Sequence, residues 1–324
     1  MSTAVSSTYR GGPPLAQVIR SGFRESRHHG SVAVLDSKGV VVASAGDVAA
    51  PIFPRSSNKP MQAVGMLRCG LSLPDPADLA MVCASHYGQD AHLVRVRGML
   101  ASGGLDESAL RCPPGLPLDE ATRDSLLRAG GGPARVLMNC SGKHTGMLLT
   151  CLAAGWSHQT YREPGHPLQR RLRATVADLT GEPVAAVGVD GCGAPLFAAS
   201  LTGLATAFLR LVAAPPESVE RVVADAMRAH PHLVAGSGAG DTLLMAGVPG
   251  LLAKSGAEGV AAVALPEVGV VALKIDDGAP RARLPVLVAA LRRLGVDAPV
   301  LDELATTPVL GGGEPVGAVC PLWP

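Results

Sequence analysis

The chain has 324 residues, 28 basic against 27 acidic side chains for a formal charge of +1, 47% hydrophobic content and 3% aromatics. That length supports a large buried core, in one big domain or two closely joined lobes. The scattered, balanced charge and the few aromatic rings argue against nucleic acid and anionic membranes as partners, and leave a small molecule as the expected one.

The opening residues, MSTAVSSTYRGG, lack the charged start, apolar middle and cleavage site of a secretory signal. No apolar run of about 18 residues follows, so the expected location is cytoplasmic. Residues 1–14 read as a flexible tail before a single domain over 15–324. Seven cysteines, at 69, 83, 112, 140, 151, 192 and 320, are odd in number and form no CxxC pair, so free thiols are expected. Cys69, Cys83 and Cys151 lie in apolar helical runs and read as core residues.

In chain order, SVAVLDSKGVVVASAG (31–46) predicts an antiparallel hairpin about a Ser-Lys-Gly turn. Residues 56–69 follow with Met61, Val64, Met66 and Leu67 at helical spacing, and Pro60 is tolerable only in a helix's first turn. Further helical patterns occupy roughly 90–102, 119–129, 141–154, 167–179, 217–229 and 283–294. The stretches 184–190, 250–256, 260–267 and 268–277 read as buried or half-buried strands. A hairpin first, helices in the middle and strands late predict an α+β fold: an antiparallel sheet built from both chain ends, flanked by helices, with a helical subdomain at about 60–180.

The chemistry-bearing residues fall at the borders of these elements. In RSSNKPMQ, Ser56 stands one helical turn ahead of Lys59, where a lysine of lowered pKa takes a serine's proton. The start of a helix adds free N–H groups for an oxyanion. The bland alternative is an N-capping serine and a solvated lysine. Lys254-Ser255-Gly256, after an apolar run, has the small-residue form of a Lys-Thr-Gly strand triad. Ser85, in Ser85-His86-Tyr87-Gly88 after the helical DLAMVCA, supplies a second hydroxyl, either as a proton relay paired with Lys254 or in an ordinary glycine-capped helix end.

Asn139-Cys140-Ser141-Gly142-Lys143-His144 and Val189-Asp190-Gly191-Cys192-Gly193 place two cysteines in turns rather than on apolar faces, which favours reactivity or ligation over packing. Lys143, His144 and Asp190 could complete a metal site, and Lys143 could do so only as the neutral amine. Gly236 to Asp241 is glycine-rich but lacks the Gly-Lys-Ser/Thr of a phosphate loop. Asp276-Asp277-Gly278 reads as an Asx turn. His28, His29, His230 and His232 lack partners at ligand spacing and read as surface or loop residues.

Taken together, SVAVLDSKGVVVASAGD, RSSNKPMQ, CASHYGQ, NCSGKHTGML, HPLQRRL, GVDGCGAPLFA, HPHLVAGSGAGDT, AKSGAEGV and KIDDGAPRA resemble the L-asparaginases of the rhizobial, thermolabile type, in family order over about residues 15–321. The resemblance implies a fold similar to serine β-lactamases, penicillin-binding proteins and serine-dependent glutaminases. It implies hydrolysis of L-asparagine to L-aspartate and ammonia through a serine acyl-enzyme. Ser56 would be the nucleophile, paired with Lys59 as the neutral base, and Ser85 would pair with Lys254. Cys140, Lys143 and Cys192 would hold Zn2+ beside the substrate, with Arg55, His144 and Asp190 near it, in a homodimer. The sequence departs from the pattern at Asn58 and Pro60, where more apolar residues are expected; this puts specificity in doubt rather than reaction type. The alternatives are a glutaminase or other amide or lactam hydrolase of this fold, a cysteine amidase using Cys140 or Cys192, or an inactive asparagine- or zinc-binding relative.

Overall fold

Two β-rich stretches from opposite ends of the chain meet in one antiparallel sheet in the computed structural model, which describes residues 8–322. The long strand Phe23–Asp36 joins them. Its first half pairs with Pro14–Arg20, Gln17 standing opposite Arg27, and its second half pairs with Gly269–Ile275, Val32 standing opposite Leu273. Across the sheet the order is Thr307–Gly311, Glu314–Pro321, Pro14–Arg20, Phe23–Asp36, Gly269–Ile275, Val260–Leu265 and Leu252–Ser255, with Val41–Ala45 also paired to Phe23–Asp36. Residues 260–264 and 269–273 are buried without a break, so both faces of these strands are covered. The helices Leu201–Ala213 and Arg283–Arg293 pack against them.

The middle of the chain is helical, with Lys59–Arg68, Pro76–Val82, Asp90–Ser102, Glu120–Arg128, Ser141–Ala153 and Pro167–Thr180. Every residue from Lys59 to Met66 is buried, and so is every residue from Ser141 to Leu148. A helix apolar on all sides belongs in the middle of a molecule, and these two bring Lys59 and Lys143 there. Gly142 lets the second of them pack closely on Pro76–Val82, since a Cβ at that position would stand 2.3 Å from the carbonyl oxygen of Met81.

Several expectations are corrected. The hairpin strand begins at Phe23, eight residues before the apolar alternation starts, because its first half is polar and largely exposed. Residues 184–190 contribute only the strand Val187–Val189, which pairs with Pro195–Phe197 in a separate two-stranded sheet and leaves Val189 exposed. His28 is buried: its Nδ1 lies 2.6 Å from Asp277 Oδ2, and its Nε2 accepts from Arg281 Nε at 3.0 Å. Cys69 ends its helix half-buried rather than in the core. Of the expected tail, residues 1–7 lie outside the described residues, while Tyr9 is tied down, its hydroxyl donating to Asp276 Oδ1 at 2.5 Å and lying 2.9 Å from Ser31 Oγ. Among the described residues no helix is long and apolar enough to cross a membrane.

Candidate active site

A single turn of 3-10 helix, Arg55–Asn58, leads into Lys59–Arg68 at the free edge of strand Leu252–Ser255. Ser57 Oγ donates to the carbonyl of Lys254 at 2.9 Å and fixes helix start to strand. The approach is close enough that a Cβ on Gly256 would lie 2.4 Å from the carbonyl oxygen of Pro54, which is why the strand triad ends in glycine. Arg55 adopts φ 53, a left-handed conformation that costs a non-glycine residue about 1 kcal/mol or more. It is held there by its Nε, which donates to Asp190 Oδ1 at 2.8 Å, and by Glu258, 3.5 Å from its terminal nitrogen.

Both lysines reach Ser85. Lys59 Nζ donates to Ser85 Oγ at 3.0 Å and to the carbonyl of Ala84; Lys254 Nζ donates to the same Oγ at 3.0 Å and to the carbonyl of Ser255 at 2.8 Å. Each lysine is only 1% exposed. Burial pulls the Lys254 amine down to about 8; the Asp241 carboxylate opposes that pull, and the cations of Lys59 and Arg283 add to it. The couple expected between Ser56 and Lys59 is thus rearranged, because the Lys59 amine is directed to Ser85. The Ser56 hydroxyl makes no hydrogen bond among the described residues. Two N–H groups of the helix start are also engaged, Ser57 with the carbonyl of Pro54 and Lys59 with that of Ser56, leaving fewer donors for an oxyanion than the sequence suggests.

The thiols form a second cluster. Lys143 Nζ donates to Cys192 Sγ at 3.2 Å, and Cys192 Sγ lies 3.9 Å from Asp190 Oδ2. The Cys140 thiol, with Lys143, holds Cys192 far below the ordinary thiol range, and Cys140 is pushed up by Cys192 and by burial. Burial works against the Lys143 charge, but the neighbouring Cys192 thiolate outweighs it and keeps the amine protonated. His144 is buried, its Nδ1 2.6 Å from the Tyr161 hydroxyl, and burial lowers its pKa. Its Nε2, facing Cys192, has no partner of hydrogen-bonding geometry. Cys140 lies within electrostatic reach of Lys59 and Lys254, so this cluster neighbours the lysine network.

Two residues at the site escaped the sequence reading. Asp241, in the glycine-rich stretch, is buried with Oδ2 accepting from Ser255 N–H and Oγ–H, both at 2.8 Å. His86 accepts from the Gly88 N–H at Nδ1, so its Nε2–H donates to Ser141 Oγ at 2.8 Å. With His86 N–H on the carbonyl of Asn139, this joins the Ser85 loop to the helix of Cys140 and Lys143. The buried carboxylate and imidazole carry no signal in spacing, since each is recognisable only from the partner the fold brings to it.

The L-asparaginase II family model matches residues 16–321. The chain belongs to the L-asparaginase II family. No curated protein sequence matches it. Solved structures of similar outline include a β-lactamase from Mycobacterium bovis, 17% identical, TM-score 0.44, covering 82% of this chain and 95% of that one. Mglu is 15% identical, TM-score 0.43, over 81% of this chain, which spans only 62% of Mglu. A Bacillus glutaminase is 13% identical, TM-score 0.33, over 76% of this chain and 83% of that one. In this member of the L-asparaginase II family two buried amines meet on the Ser85 hydroxyl, and Ser56 stands one helical turn ahead of one of them in the chain.

Proposed function

We propose that the protein is an L-asparagine amidohydrolase, releasing L-aspartate and ammonia through an acyl-enzyme on Ser56. One observation carries this reading: two buried lysines share the Ser85 oxygen, and one of them, Lys59, follows Ser56 by one helical turn. Neutral Lys254 takes the Ser85 proton, Ser85 takes one from Lys59, and Lys59 draws the proton from Ser56 as its oxygen attacks the side-chain amide. The role expected of Lys59 is thus divided, the excess proton ending on Lys254. The relay returns it to the departing ammonia, and water repeats the sequence to free aspartate.

The thiol cluster suits a zinc ion, because it offers two cysteines, an amine and a buried imidazole nitrogen with no partner. Cys140, Lys143 and Cys192 would hold it, and it would supply a positive anchor for the substrate's α-amino and α-carboxylate groups. Asp190 and Arg55 orient that end of the substrate. The homodimer, which rests on the family resemblance, and the cytoplasmic location, which rests on the opening residues, belong to the same proposal.

Ammonia release from L-asparagine, L-glutamine and a chromogenic β-lactam tests the reading. Turnover of asparagine well above the other two supports it; preference for glutamine or the lactam assigns the alternative hydrolase. A second reading, with Ser85 as nucleophile, is favoured by its oxygen being the one that touches both amines.

A further inference from the structure

The carboxylate nearest the lysine network belongs to Asp241, at the start of the helix Gly240–Gly247. Its Oδ2 lies 3.6 Å from Lys254 Nζ, and both groups are removed from solvent. The same oxygen takes the N–H and hydroxyl of Ser255, so the carboxylate is fixed in place, and its second oxygen accepts no hydrogen bond among the described residues. A buried carboxylate stays ionised only where cations and donors offset the lost water. Here Lys254, Arg283 and Ser255 provide that offset and hold Asp241 below the ordinary carboxylate range despite burial.

The converse matters more. Lys254 faces the cations of Lys59 and Arg283, the thiols of Cys140 and Cys83, and the Ser85 hydroxyl. Burial and both cations push its charge off; the Asp241 carboxylate pulls it back most strongly, with a smaller pull from Cys140. Without that pull the amine would lose its charge at lower pH and be a weaker base.

We propose that Asp241 is a positioning residue that supplies the counter-charge of Lys254 and thereby sets the pH at which the amine network becomes competent. This rests on the assignment of Lys254 to the proton relay. Nothing in the family match or in the chemistry of the motifs assigns Asp241 a part.

The chain has five lysines, so ε-13C-lysine labelling gives a spectrum in which Lys254 is assigned by its loss in Lys254→Met. In Asp241→Asn, which keeps shape and can still accept from Ser255, the Lys254 midpoint falls by about one pH unit or more. The rising limb of kcat/KM falls with it. Asp241→Glu retains most of the wild-type midpoint, and Ser255→Ala, which cuts the hydroxyl latch but leaves the charge, does not move it. An unmoved midpoint in Asp241→Asn, whatever its melting temperature, overturns the proposal. If that variant does not fold, the wild type decides: the Asp241 carboxyl carbon must inflect where Lys254 titrates, and no inflection overturns it equally. The titration needs no substrate. A shifted midpoint in a protein that releases no ammonia from asparagine would therefore sink the functional reading and leave Asp241 standing.

Discussion

Lys59 and Lys254 converge on one oxygen, each Nζ lying 3.0 Å from Ser85 Oγ. Two ammonium groups so placed and stripped of water repel each other, and the site relieves the repulsion by losing a proton. Lys254, brought to about 8 chiefly by burial, is where the loss falls.

The pH dependence of turnover follows. Below the Lys254 midpoint the relay has no vacancy for the serine proton, and above it the vacancy is permanent. The value of kcat/KM should rise with pH to a midpoint near 8 and then level. Initial rates from pH 6 to 10 check this; a limb centred near the ordinary lysine value of 10.5 would remove Lys254 from the relay.

Removing either hydroxyl should separate attack from relay. Ser56→Ala is expected to lower kcat by about 10³-fold or more with KM little changed. Ser85→Ala should lower kcat by roughly 10²-fold and flatten the alkaline limb, because the amines lose the oxygen that links them. Steady-state kinetics on both variants compares the two losses, and equal pH profiles in Ser85→Ala and wild type would exclude the relay.

Metal binding should be read in protons. The Lys143 amine is held protonated by the Cys192 thiolate, and Cys140 is held as the thiol by Cys192 and burial. A zinc ion on these three groups must displace about two protons. Adding zinc to chelated protein in weak buffer with a pH indicator should show that release, and Lys143→Met should release less. Chelation should raise KM more than it lowers kcat, since the site's place beside Asp190 suits anchoring.

Alkaline stability should be poor. Burial pushes Cys83 and Cys151 up to about 12 and Cys112 to about 11, from an ordinary 9.0. The unfolded thiols ionise first, so this stability is complete below pH 9 and is lost as pH rises towards 12. Lys254 acts in the opposite sense between about 8 and 10.5. Three thiols outweigh one amine at about 1.4 kcal/mol per pH unit each, and the melting temperature should fall from pH 9 upward. Cys83→Ala should fall less steeply than wild type; parallel slopes would count against the thiols as the cause.

Gly256→Ala tests the seam between helix start and strand. The added methyl meets the Pro54 carbonyl at 2.4 Å, and backbone must move. A loss of about 1–3 kcal/mol in denaturant unfolding is expected, with kcat reduced because Ser56 and Lys254 separate. Unchanged stability would show that the seam can open freely.

Much of this arrangement is legible in the sequence where local pattern and tertiary role agree. The apolar runs at 260–267 and 268–277 become the buried strands Val260–Leu265 and Gly269–Ile275, and Pro60 marks the first turn of the helix it opens. Strand Phe23–Asp36 is legible only from residue 31, because its first half pairs through backbone with polar side chains outward. The same limit applies at the site. Motif spacing brings Lys59, Ser85 and Lys254 into consideration, but which hydroxyl the amines meet depends on rotamers and on loop packing against Val234 and Ala235. Asp241 and His86 act through partners 14 and 55 residues away along the chain, beyond the reach of any local pattern.

Acid quench of the enzyme during turnover of L-asparagine, followed by peptide mass mapping, tests the serine mechanism most directly. The account predicts a β-aspartyl ester on the peptide at Ser56, absent from Ser56→Ala together with ammonia release. An ester on Ser85, a thioester on Cys140 or Cys192, or full-rate turnover by Ser56→Ala would contradict it.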